Sequence, residues 1–196
     1  MITILSCLVV GYVVLRFLRN RTTEITINTA EDADWLIYQK IKDSINKFPR
    51  VLTIEIIGMG IIHPTVVLAI HDLLTHRNSS ISLEIAIRTN ICDGTMIFVV
   101  LADKIKIRAN AWVQIAKLEE NDCEKFSLAN RSNTIHESAT ITDYRMVMEI
   151  LNQYVPVKEL YNKRVGLEQV LKDYWMLNNS DEEKQLTDLF DSAQKN

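Results

Sequence analysis

Glycine, proline and cysteine are scarce in this chain of 196 residues, which has 5 glycines, 3 prolines and 3 cysteines. Long disordered linkers are enriched in glycine and proline, so the scarcity of both argues against them. Cys7, Cys92 and Cys123 are an odd and widely spaced set, which is not a disulfide framework, and no Cys-x-x-Cys or Cys/His spacing indicates zinc. We therefore expect a reducing compartment, with neither a metal nor a cofactor.

A strong excess of charge of one sign is also absent. The formal net charge is −3, which gives no electrostatic reason to expect nucleic acid as a partner. Hydrophobic residues make up 47% of the chain, as is ordinary for a globular protein. No internal repeat is visible. Length and composition together predict one globular domain with a sizeable core, plus appendages.

Charged residues are missing from the beginning of the chain, where the first are Arg16, Arg19 and Arg21. A membrane-spanning helix needs roughly 20 residues, and arginines at its end can extend to the lipid headgroups, so Ile2 to Leu18 is just long enough. The segment lacks the basic start and small-residue cleavage site of a signal peptide. We expect a single-pass anchor over residues 1–21, with the rest of the chain in the cytoplasm because the positive charges follow the apolar run. The alternative is a buried N-terminal helix or strand.

A crossover α/β core is predicted between Val51 and Ile115. The order is strand, glycine turn, helix, strand, small-residue turn, short helix and two strands, over 51–57, 58–60, 63–76, 81–87, 89–95, 96–102, 104–108 and 111–115. Ligands of such cores bind at the carboxyl ends of the strands, where both turns fall. The apolar run Ile54, Ile56 and Ile57 predicts a central parallel strand that is covered on both faces.

Other elements are predicted on both sides of this core. A strand at Glu24–Asn28 precedes a helix that begins at Thr29, and residues 116–140 are polar and irregular, as is typical of a loop. Three further helical stretches are predicted at 143–154, 157–176 and 181–192. We therefore divide the chain into the anchor, a core at 22–142 and a C-terminal helical extension at 143–196, whose helices pack on the core or between subunits.

Four motifs in this region resemble those of the Clp protease and crotonase-like fold. They are Gly58-Met59-Gly60, Cys92-Asp93-Gly94-Thr95, Leu101-Ala102-Asp103-Lys104-Ile105 and Ala109-Asn110-Ala111. The chain is most similar to the membrane-associated serine-peptidase branch, which includes the signal-peptide-peptidase and serine dehydrogenase proteinase families. The resemblance covers residues 22 to 117. It implies an α/β fold with a ββα crossover core, an N-terminal membrane helix, C-terminal helices, a homo-oligomer, and a protein or peptide as partner.

The resemblance also implies where a catalytic site would lie. The nucleophile of the family falls on Cys92, and the general base falls near Lys117, where the family has a histidine. The oxyanion would be bound by backbone N–H groups of Gly60 and Asp93, in turns that Gly58 and Gly94 complete. A thiol at the start of a helix can have a lowered pKa and act as a nucleophile, and a lysine can act as a base where burial lowers its pKa.

Two features oppose catalysis at this position. The carboxylate of Asp93 disfavours both a thiolate and an oxyanion beside it, unless its side chain turns away and caps the helix that begins at Met96. No histidine falls at the base position, and nothing in the sequence positions His136. The alternative interpretations are that Cys92 is a small, half-buried turn residue and Lys117 an ordinary surface lysine.

Three functions remain in competition. The favoured one is a membrane-anchored, Clp-peptidase-like protein that is catalytically degenerate, a pseudoenzyme acting as a scaffold or binding module. The second is an active peptidase, hence a hydrolase, with Cys92 as nucleophile and Lys117 as base. The third is an unrelated small α/β binding module of the anti-sigma-antagonist type, which shares the strand and helix rhythm of residues 54–74 but explains residues 90–111 poorly.

Overall fold

The computed structural model of the chain describes residues 22–116 and 134–175, with side chains over 22–116 and 140–173. The predicted anchor at 1–21, the predicted base Lys117 and the predicted helix at 181–192 lie outside the described residues. Among the helices that are described, none is both long enough and apolar enough to cross a membrane.

Strands and helices alternate through the first half of the described chain. The strands are β1 (Thr22–Asn28), β2 (Val51–Ile57), β3 (Ser82–Ile87), β4 (Ile91–Cys92), β5 (Lys104–Ile107), β6 (Trp112–Gln114) and β7 (Arg164–Gly166). The helices are α1 (Asp34–Ile45), α2 (Pro64–Thr75), α3 (Met96–Val100), α4 (Thr134–Leu151), α5 (Val157–Leu160) and α6 (Leu167–Val170). A 3₁₀ turn at Asp93–Thr95 opens α3, and a π-helical turn at Leu171–Trp175 follows α6.

A four-stranded parallel sheet in the order β1-β2-β3-β5 is the centre of the fold. This confirms the predicted α/β class with a parallel sheet. The expectation that β2 is covered on both faces is wrong, because only alternate residues, including Leu52, Ile54 and Ile56, are fully buried. Glu55 points to the other, half-exposed face, where its carboxylate accepts a hydrogen bond of 2.8 Å from Arg88 Nε. Period-two alternation of this kind is what a sheet with one solvated face requires.

A second, smaller sheet in the order β4-β6-β7 was not predicted. Strand β6 pairs with β4 in parallel and with β7 in antiparallel orientation. The single helix expected over 157–176 is therefore wrong in its middle, where Arg164–Gly166 is extended. The guanidinium of Arg164 lies 4.8 Å from the centre of the Trp112 ring, a cation–π contact across the two strands. This long-range pairing overrides the local helical periodicity.

Helix α4 begins earlier than predicted and packs on α2. Residues Tyr144, Val147, Met148 and Leu151 are buried at helical spacing, Ile150 packs against the core, and Met146 is 39% exposed. The boundary drawn between residues 142 and 143 falls inside this helix. Side chains from α4, α5 and α6 belong to the same hydrophobic cluster as those of the strands.

Helix α1 begins at Asp34 rather than at Thr29. The Asp32 carboxylate accepts hydrogen bonds from the Asn28 amide at 2.9 Å and from Lys40 Nζ at 2.7 Å, which holds residues 29–33 as a turn. Helix α1 buries Ile37 and Ile41 against the core, whereas Trp35 in its first turn is 58% exposed.

Candidate functional site

The two predicted corners lie against each other at the carboxyl ends of the strands. The first corner, Gly58–Gly60, follows β2, and the second, Cys92–Thr95, follows β4. The thiol of Cys92 donates a hydrogen bond to the carbonyl oxygen of Gly60, with an Sγ–O distance of 3.3 Å. Residues that are far apart in the chain are thereby brought into direct contact.

The first corner is shaped by close approach of the backbone to Thr29. A Cβ atom at Gly60 would lie 1.9 Å from the carbonyl oxygen of Thr29, so no other residue fits without a shift of the backbone. Gly58 has a φ of 70°, a conformation that glycine adopts readily. The Thr29 hydroxyl joins the two glycines, because it donates to the Gly58 carbonyl at 2.9 Å and accepts from the Gly60 amide at 3.1 Å. The amide expected to bind an oxyanion thus already has a partner.

The second corner contains a buried aspartate in an unusual conformation. Asp93 is 4% exposed and has a φ of 43°, a region that aspartate tolerates better than most residues. Its Oδ1 accepts a hydrogen bond of 2.8 Å from the Ala116 amide and one of 3.3 Å from the Tyr144 hydroxyl. Through Oδ1, the carboxylate holds the chain that follows β6.

Tyr144 connects the second corner to helix α4. Its hydroxyl donates to the carbonyl oxygen of Ala116 as well as to Asp93, so one proton serves two acceptors. Burial raises the pKa of this phenol, and the charge of Asp93 and the hydrogen bond to it raise it further. The phenol is therefore a stable donor that fastens α4 to the corner.

The Cys92 thiol is held in its neutral form. Burial, with a smaller contribution from the adjacent Asp93 charge, raises its pKa to about 12. A reactive thiol would need a lowered pKa, whereas the surroundings of Cys92 raise it. The start of α3, which could in principle favour a thiolate, is separated from the sulfur by the 3₁₀ turn that Asp93 begins.

The structure does not describe the side chains of two possible catalytic partners of the thiol. Lys117 and the side chain of His136 lie outside them, and Ala116 is the last described residue before the gap. His63 precedes α2, and its backbone amide donates to Asp34 Oδ2 at 2.9 Å. Within 22–116 and 134–175, no group of three or more His, Cys, Asp or Glu residues could hold a metal ion.

A narrow cleft lies beside the second corner. Its walls are mostly apolar, and its polar members are Asp93 and Tyr144; the apolar residues are Ile61, Ile62, Pro64, Val67 and Val147. It encloses about 190 Å³ between atoms, including space open to solvent, and none of that space is wide enough for a water molecule. Gly94 lies at the cleft, and a larger residue would not fit there, because its Cβ would come within 2.6 Å of Val67 Cγ2. A ligand could enter only if the walls moved apart.

Sequence reasoning missed Thr29 and Tyr144. Thr29 was read as the start of a helix, and only its contact across the strands reveals its role. Tyr144 shares helical spacing with Val147, Met148 and Leu151, so its burial was visible in the pattern, but its contact with Asp93 was not. No family model, no curated protein and no solved structure matches this chain.

Proposed function

We propose that this chain is a membrane-anchored, Clp-peptidase-like protein that is catalytically degenerate and acts as a scaffold or binding module for a protein or peptide partner. The observation that carries the proposal is the state of Cys92. Its thiol has a pKa raised to about 12 and donates its proton to the Gly60 carbonyl. The anchor, the cytoplasmic placement of the remaining chain and a homo-oligomeric state are parts of the same proposal.

The arrangement of motifs supports the resemblance on which the proposal rests. A glycine turn follows β2, and Cys92-Asp93-Gly94-Thr95 opens a short apolar helix. The Asp103 carboxylate, in the third motif, accepts from the Leu83 amide at 2.6 Å. Asn110, in the last motif, has a φ of 63° and turns the chain into β6. Each motif therefore has a structural role in this chain, whatever its chemistry.

Loss of catalysis follows from acid–base chemistry. With a pKa raised to about 12, the thiol keeps its proton at pH 7 and is not a nucleophile in that form. A peptidase also needs free N–H donors for the oxyanion, and the Gly60 amide donates to Thr29 instead. A neutral thiol and an amide that already has a partner are the features expected of a catalytically degenerate site.

One observation favours the second candidate, an active peptidase. The Ala116 amide is bound to Asp93, and Lys117 is the next residue in the sequence. An ammonium group near the sulfur would lower the pKa of the thiol, and a neutral amine could act as its base. The third candidate, the anti-sigma-antagonist type of module, receives less support, because it has no role for β4 and the Cys92 corner.

Alkylation of Cys92 tests the proposal. In a Cys7→Ser, Cys123→Ser background, the rate of reaction with iodoacetamide is measured by peptide mapping from pH 6 to pH 10. We expect a rate that rises about tenfold per pH unit without a plateau, because the thiol stays below its pKa throughout. The Lys117→Ala variant is the matched control and is expected to give the same profile.

Catalysis would give a different result in the same experiment. A rate that stops rising below pH 8, with the plateau shifted to higher pH in the Lys117→Ala variant, would identify a thiolate paired with that lysine. Peptide cleavage that is lost in the Cys92→Ala variant would overturn the degenerate assignment directly.

A further inference from the structure

The amino edge of the parallel sheet is the edge at which the chain enters β1 after its apolar N-terminal segment. Thr22, Val51 and Ser82 stand in register as the first residues of β1, β2 and β3. Each of β1 and β2 is 7 residues long, so this edge is about 20 Å from the carboxyl edge at a rise of 3.3 Å per residue. The corner with Cys92 follows the carboxyl ends, on the opposite side.

A large aromatic side chain protrudes at this amino edge. Phe48, three positions before β2, is 73% exposed and has a φ of 49°. Its amide donates to the Ile45 carbonyl at 2.9 Å, and the next residue, Pro49, is buried, so the backbone on both sides is fixed. A left-handed conformation is strained for a bulky residue. The fold holds this ring outward, although burial of a phenylalanine is favourable.

Two exposed basic residues lie close to Phe48 in the sequence, Lys47 before it and Arg50 two positions after it. Asp103, which precedes β5, lies 2.8 Å from an Arg77 nitrogen. Asp72 Oδ1 lies 3.0 Å from His76 Nδ1, a contact that is an ion pair only when the imidazole is protonated.

We propose that the loop Lys47–Arg50 rests on an anionic membrane surface, with the Phe48 ring at the level of the headgroups and the two cations among the lipid phosphates. In the sequence, Arg16, Arg19 and Arg21 stand between the apolar segment and Thr22, the first residue of β1 at this edge. Aromatic rings and basic residues are the side chains that membrane interfaces favour, and basic residues are attracted to an anionic leaflet. The inference rests on the proposed membrane anchor.

This contact would fix the orientation of the whole molecule. With the amino edge on the bilayer, the cleft beside Asp93 faces away from it, at a height of about 20 Å. A partner would then reach the cleft from the aqueous side, and lipid would not.

Fluorescence quenching by lipid tests the contact on the full chain, reconstituted in vesicles of equal parts phosphatidylcholine and phosphatidylglycerol with brominated acyl chains. Two single-tryptophan variants share the Trp112→Phe and Trp175→Phe changes. The first adds Trp35→Phe and Phe48→Trp, and the second retains Trp35, which is 58% exposed near the carboxyl edge. We expect the indole at position 48 to be quenched about twofold or more relative to that at position 35.

Charge reversal and an extraction step separate the outcomes. Adding Lys47→Glu and Arg50→Glu is expected to reduce quenching at position 48 in the anionic vesicles and to leave it unchanged in vesicles of phosphatidylcholine alone. Equal quenching at both positions, or protection of position 48 by a second copy without lipid, would overturn the membrane contact while the anchor stands. Release of the chain by alkaline carbonate would overturn the anchor and the contact together.

A readout on the wild-type chain avoids the tryptophan substitutions. Hydrogen exchange of the amides at positions 46, 47, 48 and 50 is expected to slow in the anionic vesicles relative to phosphatidylcholine vesicles. Unchanged exchange would contradict the proposal.

Discussion

The two corners that meet at Cys92 are built in opposite ways. The Gly58–Gly60 corner excludes side chains, because a backbone carbonyl occupies the place where a Cβ would stand. The Cys92–Thr95 corner instead depends on a buried side chain, since the Asp93 carboxylate holds Ala116 and Tyr144. The first corner accepts only glycine because the backbone of Thr29 lies against it, whereas the second requires a carboxylate that accepts hydrogen bonds. Substitutions at the two corners should therefore fail for different reasons.

The largest effect is expected at Gly60. The Gly60→Ala substitution places a methyl group 1.9 Å from the Thr29 carbonyl oxygen, and relief requires a shift of the backbone. We expect a loss of about 3 kcal/mol in the free energy of unfolding, measured by urea denaturation.

Gly166→Ala is the matched control, because its nearest atom would be 3.9 Å away. Its effect should stay within about 0.5 kcal/mol. Equal losses at the two glycines would show that sterics do not define the first corner.

A smaller effect is expected at Tyr144, in the second corner. Tyr144→Phe removes the hydroxyl that donates to Asp93 and Ala116, and leaves a buried acceptor short of a donor. We expect a loss of about 1.5 kcal/mol in the free energy of unfolding. Tyr154 is half-buried and makes no hydrogen bond to any described residue, so Tyr154→Phe should leave the free energy of unfolding nearly unchanged. If both variants unfold at the same urea concentration, the phenol does not hold the corner.

The smallest effect sharpens the comparison at the thiol where the corners touch. The pKa of Cys92 is about 12 in the folded chain and 9.0 for an ordinary cysteine. Between these pH values the unfolded chain loses the proton and the folded chain keeps it, so stability falls as pH rises. Cys92→Ser retains a donor without this titration and should lose stability less steeply between pH 9 and pH 12. The slopes of the two variants should differ by less than about 1 kcal/mol per pH unit. One titrating proton changes the free energy of unfolding by at most about 1.4 kcal/mol per pH unit, and solvent near the thiol screens part of this effect.

Parallel stability curves above pH 9 would contradict the raised pKa. Well below pH 9 the two curves should be parallel, because the Cys92 thiol keeps its proton there in both the folded and the unfolded chain.

The parallel core was predictable because its signals are local. The strand at Val51–Ile57 agrees with the observed β2 residue for residue, and α2 differs from its predicted range by one residue at each end. An uninterrupted apolar run and a proline in the first helical turn are sufficient for such assignments. The bounds of α1 were less accurate, since Asp32 accepts from Asn28 instead of opening the helix.

The second sheet and the state of the site were not predictable, because they depend on contacts between distant residues. Arg164–Gly166 is extended only because it pairs with Trp112–Gln114. The sequence shows an acidic neighbour beside Cys92, and the prediction that its charge disfavours a thiolate agrees with the raised pKa of the thiol. Burial of the thiol, which contributes most to its raised pKa, could not be read from the residues around it.

The sequence by itself determined where the first turn falls, because the apolar run of β2 ends at Gly58 and glycine favours a turn of the local backbone. It predicted the second turn at 89–95, whereas the structure has β4 at Ile91–Cys92 and begins the turn at Asp93. Only the tertiary structure decided that the two turns touch, that Thr29 occupies the Gly60 amide, and that Tyr144 reaches Asp93 across the fold. The physical reason is that hydrogen bonding and desolvation depend on which atoms surround a group in space, and packing brings those atoms from distant parts of the chain.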